Sequence, residues 1–149
     1  MKGFLLDVNV LIALLWTRHE HHARAQSWFA GASESGWATC SLTQLGFVRI
    51  VSNAAFSSEA VRPAQAMAVL KANLRHPAHQ EWEDRWGANT VLEPLAERLV
   101  GHRQVTDAYL LGLAAKHEGR LATFDRGIDT LAPRSSPFSR HVERVPRGG

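Results

Sequence analysis

The 149-residue chain has the length of one ordinary domain, and its 45% hydrophobic and 21% charged content is that of a globular protein, which excludes a disordered or low-complexity chain. A single cysteine, Cys40, rules out an internal disulfide and points to a reducing, cytoplasmic setting; no run is long enough to span a membrane, and Asp7 and Asn9 interrupt the apolar start so that it does not read as a signal peptide. The net charge of +3 and the pI near 9.6 fit a polyanionic partner and equally a plain basic surface.

Residues 3 to 7 form a short apolar run without helical period, as a strand buried on both faces does, and Val8 to Leu15 continue as a helix. An amphipathic stretch from His19 to Ala30 places His22, Ala25 and Phe29 on one face, and Gly31 to Gly36 reads as a loop of small residues. WATC, 37 to 40, is a second strand, followed by a helix from Leu42 to Val51 with Ser41 as its expected N-cap. Pro63 to Leu74 sets Met67, Leu70 and Leu74 at helical spacing, with proline at a first-turn position.

A strand is expected near Gln80 to Glu83, a short helix from Pro94 to Val100 ended by Gly101, and an apolar helix from Thr106 to His117 ended by Gly119. RLATFD, 120 to 125, is another buried strand, APRSSPFSR reads as a loop, and HVERV at 141 to 145 as a last edge strand. The tail is basic: from Thr130 onward Arg134, Arg140, Arg144 and Arg147 face one acid, Glu143. With no repeat or linker, residues 1 to 149 form one domain, residues 133 to 149 supplying the loop, the edge strand and the tail. Strands alternating with helices predict an α/β fold with a mostly parallel sheet and helices on both faces.

In such sheets, functional groups gather beyond the carboxyl ends of the strands. Asp7 and Asp125 each end an expected strand, and Asp107 sits in the first turn of the helix leading into the strand that carries Asp125. Taken singly, Asp107 also suits a helix N-terminus and Asp125 a turn. Asp7 is harder to place in that way, since burying a lone carboxylate is costly unless it is paired, hydrogen-bonded or metal-bound. Three converging carboxylates repel one another, and a divalent cation resolves the conflict. Oxygen ligands select magnesium, with manganese as a substitute, over zinc, and no Cys/His cluster with zinc spacing is present. Such a centre serves phosphoryl chemistry, which makes phosphodiester hydrolysis the natural candidate.

The segments LLDVNVLIALL, SLTQLGFVRI, VTDAYLLGLA and LATFD, together with the H-x-x-H-x-x-A-x-x-W stretch from His19 to Trp28, resemble the PIN-domain ribonucleases, specifically the VapC-type toxins of toxin–antitoxin pairs. The resemblance covers nearly the whole chain in order and spacing. It implies a PIN-like three-layer fold and a magnesium-dependent endoribonuclease that leaves a 5′-phosphate and a 3′-hydroxyl. It also implies a cognate antitoxin whose C-terminal segment occupies the active-site groove, and a homodimer. The family's metal-site aspartates carry over onto Asp7, Asp107 and Asp125. Its usual glutamate falls on Gln44, which brings no charge but keeps an amide oxygen able to ligate a metal or hold a coordinated water. Gln44 also completes an S-L-T-Q capping box with Ser41.

Further candidates surround these. Asn9 suits orientation of a metal water or substrate phosphate, and equally a cap. Thr123 shares the face of Asp125 in a regular strand, where its hydroxyl suits steadying a carboxylate, and it also reads simply as a β-favouring residue. Arg49, Arg103 and Arg126 are the arginines nearest the motifs and suit phosphate contact, although any one of them reads more readily as a solvated surface charge. His19, His21 and His22 do not meet on one helical face and are not read as a metal cluster. Trp16 and Trp28 are expected in the core, whereas Trp82 and Trp86 are open to base stacking as well.

Two other function classes compete. Aspartyl-phosphate phosphohydrolases need a second Asp two residues after the first, where this chain has Asn9. A non-catalytic PIN-like module that only holds RNA or antitoxin is the alternative raised by Gln44, and metal titration discriminates it.

Overall fold

The computed structural model describes residues 2–146; Arg147 of the expected basic tail lies outside the described residues. Five strands, β1 (Phe4–Leu6), β2 (Trp37–Thr39), β3 (His79–Glu81), β4 (Arg120–Thr123) and β5 (Val142–Arg144), form one all-parallel sheet in the order β3-β2-β1-β4-β5. The chain moves outward from β1 to β3, then returns to β4 on the other side of β1. The order therefore reverses between β1 and β4, and in open α/β sheets that reversal opens a crevice at the carboxyl ends of the two strands.

Strand alternation divides the core in two. Leu5, Ala38 and Leu121 face one side, against α5 (Ala88–Leu92), α6 (Val105–Lys116) and α7 (Ile128–Leu131). Leu6, Trp37 and Ala122 face the other, against α1 (Val8–Leu15), α2 (His22–Ala32), α3 (Ser41–Val51) and α4 (Pro63–Asn73). Both sheet faces are thus covered by helices, which is why β1 and β4 read as continuous apolar runs rather than alternating ones. Among the described residues, no helix is long and apolar enough to cross a membrane.

Several expected boundaries move. The small-residue stretch from Gly31 continues α2 to Ala32 and a 3₁₀ turn, Ser33–Ser35; the chain leaves the helix only at Gly36, whose φ of +89° suits glycine. β3 begins one residue before the expected strand, and Trp82 follows it, its N–H donating to the Thr39 carbonyl at 2.9 Å. The helix expected at 94–100 is a 3₁₀ segment, Glu93–Arg98, entered from α5. Helix α7 was not anticipated, and the expected loop APRSSPFSR ends in a 3₁₀ turn, Pro137–His141, leading into β5. Met67 is 59% exposed although it shares the spacing of buried Leu70. Trp16 and Trp28 are only half-buried, while Trp82 is buried.

Helix α6, which carries Asp107, is held close to α5 at Gly112. A Cβ there would stand 2.6 Å from the Val91 carbonyl oxygen and 2.7 Å from its Cγ1. Since a backbone oxygen has little room to yield, Gly112→Ala is expected to lower unfolding stability by about 1–3 kcal/mol. Urea denaturation checks this through a lower midpoint at unchanged slope.

Candidate functional site

Asp7 leaves β1 in extended conformation, its N–H donating to the Ala122 carbonyl at 3.0 Å, and becomes the N-cap of α1. Its Oδ1 accepts the Val10 N–H at 2.8 Å, so the residue satisfies an orphan donor of the helix it starts. Only 5% of it is exposed. Burial pushes its carboxyl up to about 6, and the negative charges of Asp107 and Asp125 add to this; the hydrogen bonds from the Thr123 hydroxyl and Val10 oppose the shift without cancelling it.

Asp107 stands in the first turn of α6, half-buried, and is held above the usual carboxylate range first by burial and then by Asp125. Asp125 follows β4 directly; its Oδ1 accepts the Gly127 N–H at 2.8 Å and its own N–H donates to Thr123 Oγ1 at 3.0 Å. Thr123, 1% exposed, thus accepts a hydrogen bond from the Asp125 N–H, and its hydroxyl donates one to Asp7. One hydroxyl ties the ends of β1 and β4 together.

The Gln44 expectation changes in one respect. The helix cap lies one residue earlier than Ser41: Cys40 is the extended N-cap of α3, its N–H donates to Thr43 Oγ1 at 3.0 Å, and the Thr43 hydroxyl donates to the Cys40 carbonyl at 3.1 Å. The box therefore runs from Cys40 to Thr43, because β2 stops at Thr39, and Gln44 takes no part in it. Gln44 Nε2 instead donates to Thr39 Oγ1 at 2.9 Å and to Glu81 Oε2 at 3.1 Å. An ionised carboxylate only accepts, so Glu81 sets which end of the amide faces it. Thr39 Oγ1 also shares a 2.8 Å hydrogen bond with His79 Nε2, and burial holds that imidazole below its ordinary range. The amide nitrogen of Gln44 is thereby turned toward β3, on the far side of β2 from Asp7.

The remaining candidates divide by position. Asn9 lies exposed in the first turn of α1 and is free of capping, which Asp7 performs. Arg103, just before α6, and Arg126, just after Asp125, are exposed at the carboxyl edge of the sheet. Arg49 is not brought there: it occupies the last turn of α3, about 12 Å along the helix from Ser41. The three early histidines separate, His22 Nδ1 bonding the Ala13 carbonyl at 2.8 Å and His21 lying against Phe124. Sequence reading missed Thr39, His79 and Glu81, whose shared contacts join segments some 40 residues apart.

Among the described residues, no three His, Cys, Asp or Glu side chains form a compact ligand cluster, and none of the ion pairs neutralises Asp7, Asp107 or Asp125. The three act on one another through space. All three are oxygen donors, the class a hard divalent cation takes, and Asp125 keeps an oxygen beyond the Oδ1 that accepts the Gly127 N–H.

The PIN-domain family profile matches residues 4–132. The chain belongs to the PIN-domain family. Ribonuclease VapC38 of Mycobacterium tuberculosis (strain H37Rv) is 46% identical over 128 residues, which cover 86% of this chain and 89% of the relative. Ribonuclease VapC39 of the same strain is 44% identical over 126 residues, covering 83% and 89%. The crystal structure of VapBC2 from Rickettsia felis bound to a DNA fragment from their promoter superposes with a TM-score of 0.64 over 96% of this chain and 98% of that one; at 11% identity the likeness is one of fold.

In this PIN domain the folded state resists ionising Asp7, and the sign of the consequence follows. With the folded pKa near 6 and an ordinary value of 3.8, the folded chain binds more protons between those values. Metal-free stability therefore falls as pH rises from about 4 to 6 and stays lower above. Asp7→Asn, which keeps an oxygen for Val10, is expected to raise the metal-free Tm at pH 7 by roughly 4–8 °C, on the order of 2 kcal/mol, a gain that shrinks toward pH 4. Scanning calorimetry in EDTA across this range measures it. The shifted cap has its own test by urea denaturation: Thr43→Val costs on the order of 1 kcal/mol, whereas Gln44→Ala stays within about 0.5 kcal/mol.

Proposed function

We propose that this chain is a metal-dependent endoribonuclease, the toxin of a toxin–antitoxin pair, which hydrolyses RNA phosphodiester bonds. The observation that carries the reading is the buried Asp7 carboxylate at the β1/β4 crevice, within electrostatic reach of Asp107 and Asp125. The ribonuclease names of the VapC38 and VapC39 relatives support it.

Asp7, Asp107 and Asp125 would hold magnesium, for which manganese substitutes. Bound there, the ion would supply positive charge for phosphodiester hydrolysis and would acidify a water. The protein's own share is positional. Thr123 fixes the Asp7 carboxylate, α1 holds it by the Val10 N–H, and the turn to Gly127 fixes Asp125. Arg103 and Arg126 stand where they can orient the RNA backbone. Gln44 adds no charge, so the centre is built on three carboxylates, and these favour an enzyme over the non-catalytic binding module. By the family resemblance the products are a 5′-phosphate and a 3′-hydroxyl, the inhibitor is a cognate antitoxin, the working form is a homodimer, and the setting is the cytoplasm.

Asp7→Asn, Asp107→Asn and Asp125→Asn are each expected to lower cleavage of total RNA by about 10²–10³ while circular dichroism stays that of the wild type. Calorimetry should show manganese binding to the wild type and its loss in each variant. Wild-type cleavage rates in all three, or no manganese binding by the parent chain, would overturn the reading.

A further inference from the structure

Beside the carboxylate edge lies a second, distinct groove of about 400 Å³, within the size range of small-ligand sites. Its walls are Leu42 from the start of α3, Trp86 and Asp84 from the segment after β3, and Thr106 and Tyr109 from the first turns of α6. Thr106 precedes Asp107 in the chain, so the groove begins one residue from the proposed centre. Trp86 and Tyr109 are both half-buried aromatics. Trp86 is braced by the edge-on ring of His117 at 5.4 Å, with the Arg85 guanidinium 5.0 Å and the Lys116 ammonium 5.8 Å from its ring centroid. Both cations line the neighbouring cavity on which Trp86 also borders, and the aromatic walls of this groove are what single-stranded RNA binders offer to a base.

Asp84 is the acidic residue in the lining of this groove. A carboxylate repels the RNA backbone, so its useful partners there are N–H groups of a base edge. A hydrogen bond with Tyr109 orients the carboxylate, and its remaining lone pairs stay available. Among the four RNA bases, guanine alone carries two adjacent donors, N1–H and N2–H₂, on its Watson–Crick edge, which match the two oxygens of a carboxylate.

We propose that Trp86, Tyr109 and Asp84 form a base-recognition pocket that receives a guanine flanking the scissile phosphate, with stacking on the aromatics and the Asp84 carboxylate reading N1–H and N2–H₂. The pocket deepens the ribonuclease reading and rests on it for the word scissile, but nucleotide binding tests it without cleavage.

The experiment titrates the four nucleoside 5′-monophosphates into the full chain without metal and follows the Trp86 indole N–H by NMR. Guanosine monophosphate should bind about tenfold or more tighter than the other three. Asp84→Asn should bring all four within about twofold, and Trp86→Leu should weaken all of them by about tenfold or more. Cleavage-end mapping should then show guanine enriched at one position beside the cut for the wild type and not for Asp84→Asn. Equal binding of the four nucleotides, no perturbation of Trp86 by any of them, or a guanine preference surviving in Asp84→Asn overturns the pocket. The two readings fail separately: a guanine preference without RNA cleavage keeps the pocket and removes the ribonuclease, whereas cleavage without guanine preference does the reverse.

Discussion

A carboxylate held almost out of water between the two strands where the sheet order reverses is the constraint on which the site depends. Asp7 caps α1, continues the hydrogen-bond ladder to β4, and receives the Thr123 hydroxyl. These bonds fix its position, yet they do not neutralise it, and two more aspartates raise the cost of its charge. A fold that places an anion there forgoes stability that an apolar residue would have supplied. The arrangement makes chemical sense as a standing demand for positive charge.

That demand arises at the edge of the sheet and not in its body. Parallel strands end with their carboxyl termini on one side, and the helices that follow them begin there, so Asp7, Asp107 and Asp125 reach one region from three segments of chain. The same geometry brings the start of α3, the segment after β3 and the first turns of α6 around the neighbouring groove. The charged crevice and the aromatic groove share α6 as a common wall, Asp107 on one side and Thr106 and Tyr109 on the other. Close packing at Gly112 holds that shared helix against α5.

Gln44 illustrates how a local pattern can mislead. The letters S-L-T-Q satisfy a capping box, but helix caps are decided by where the preceding strand releases the chain. β2 pairs with β1 as far as Ala38 and with β3 as far as Thr39, so Cys40 becomes the cap and Thr43 its partner. The amide is then claimed by Thr39 and Glu81, the second of which lies 37 residues away in sequence. No short-range rule connects those positions.

The sequence by itself determined the elements whose signal is local. The apolar runs of β1 and β4, helix α1 over Val8–Leu15, the alternation that dictates a parallel sheet, and the aspartates at strand ends are all set by periodicity and by the cost of burying charge. Tertiary structure decided the rest. It chose the strand order that places β4 beside β1 and so makes Thr123 a bridge between Asp7 and Asp125. It kept Arg49 away from the site, turned the Gln44 amide toward β3, and drew Asp84, Trp86 and Tyr109 around one groove. Such contacts join residues tens of positions apart, and their partners are selected by the packing of whole elements, whereas periodicity and capping act only over a turn or two of chain.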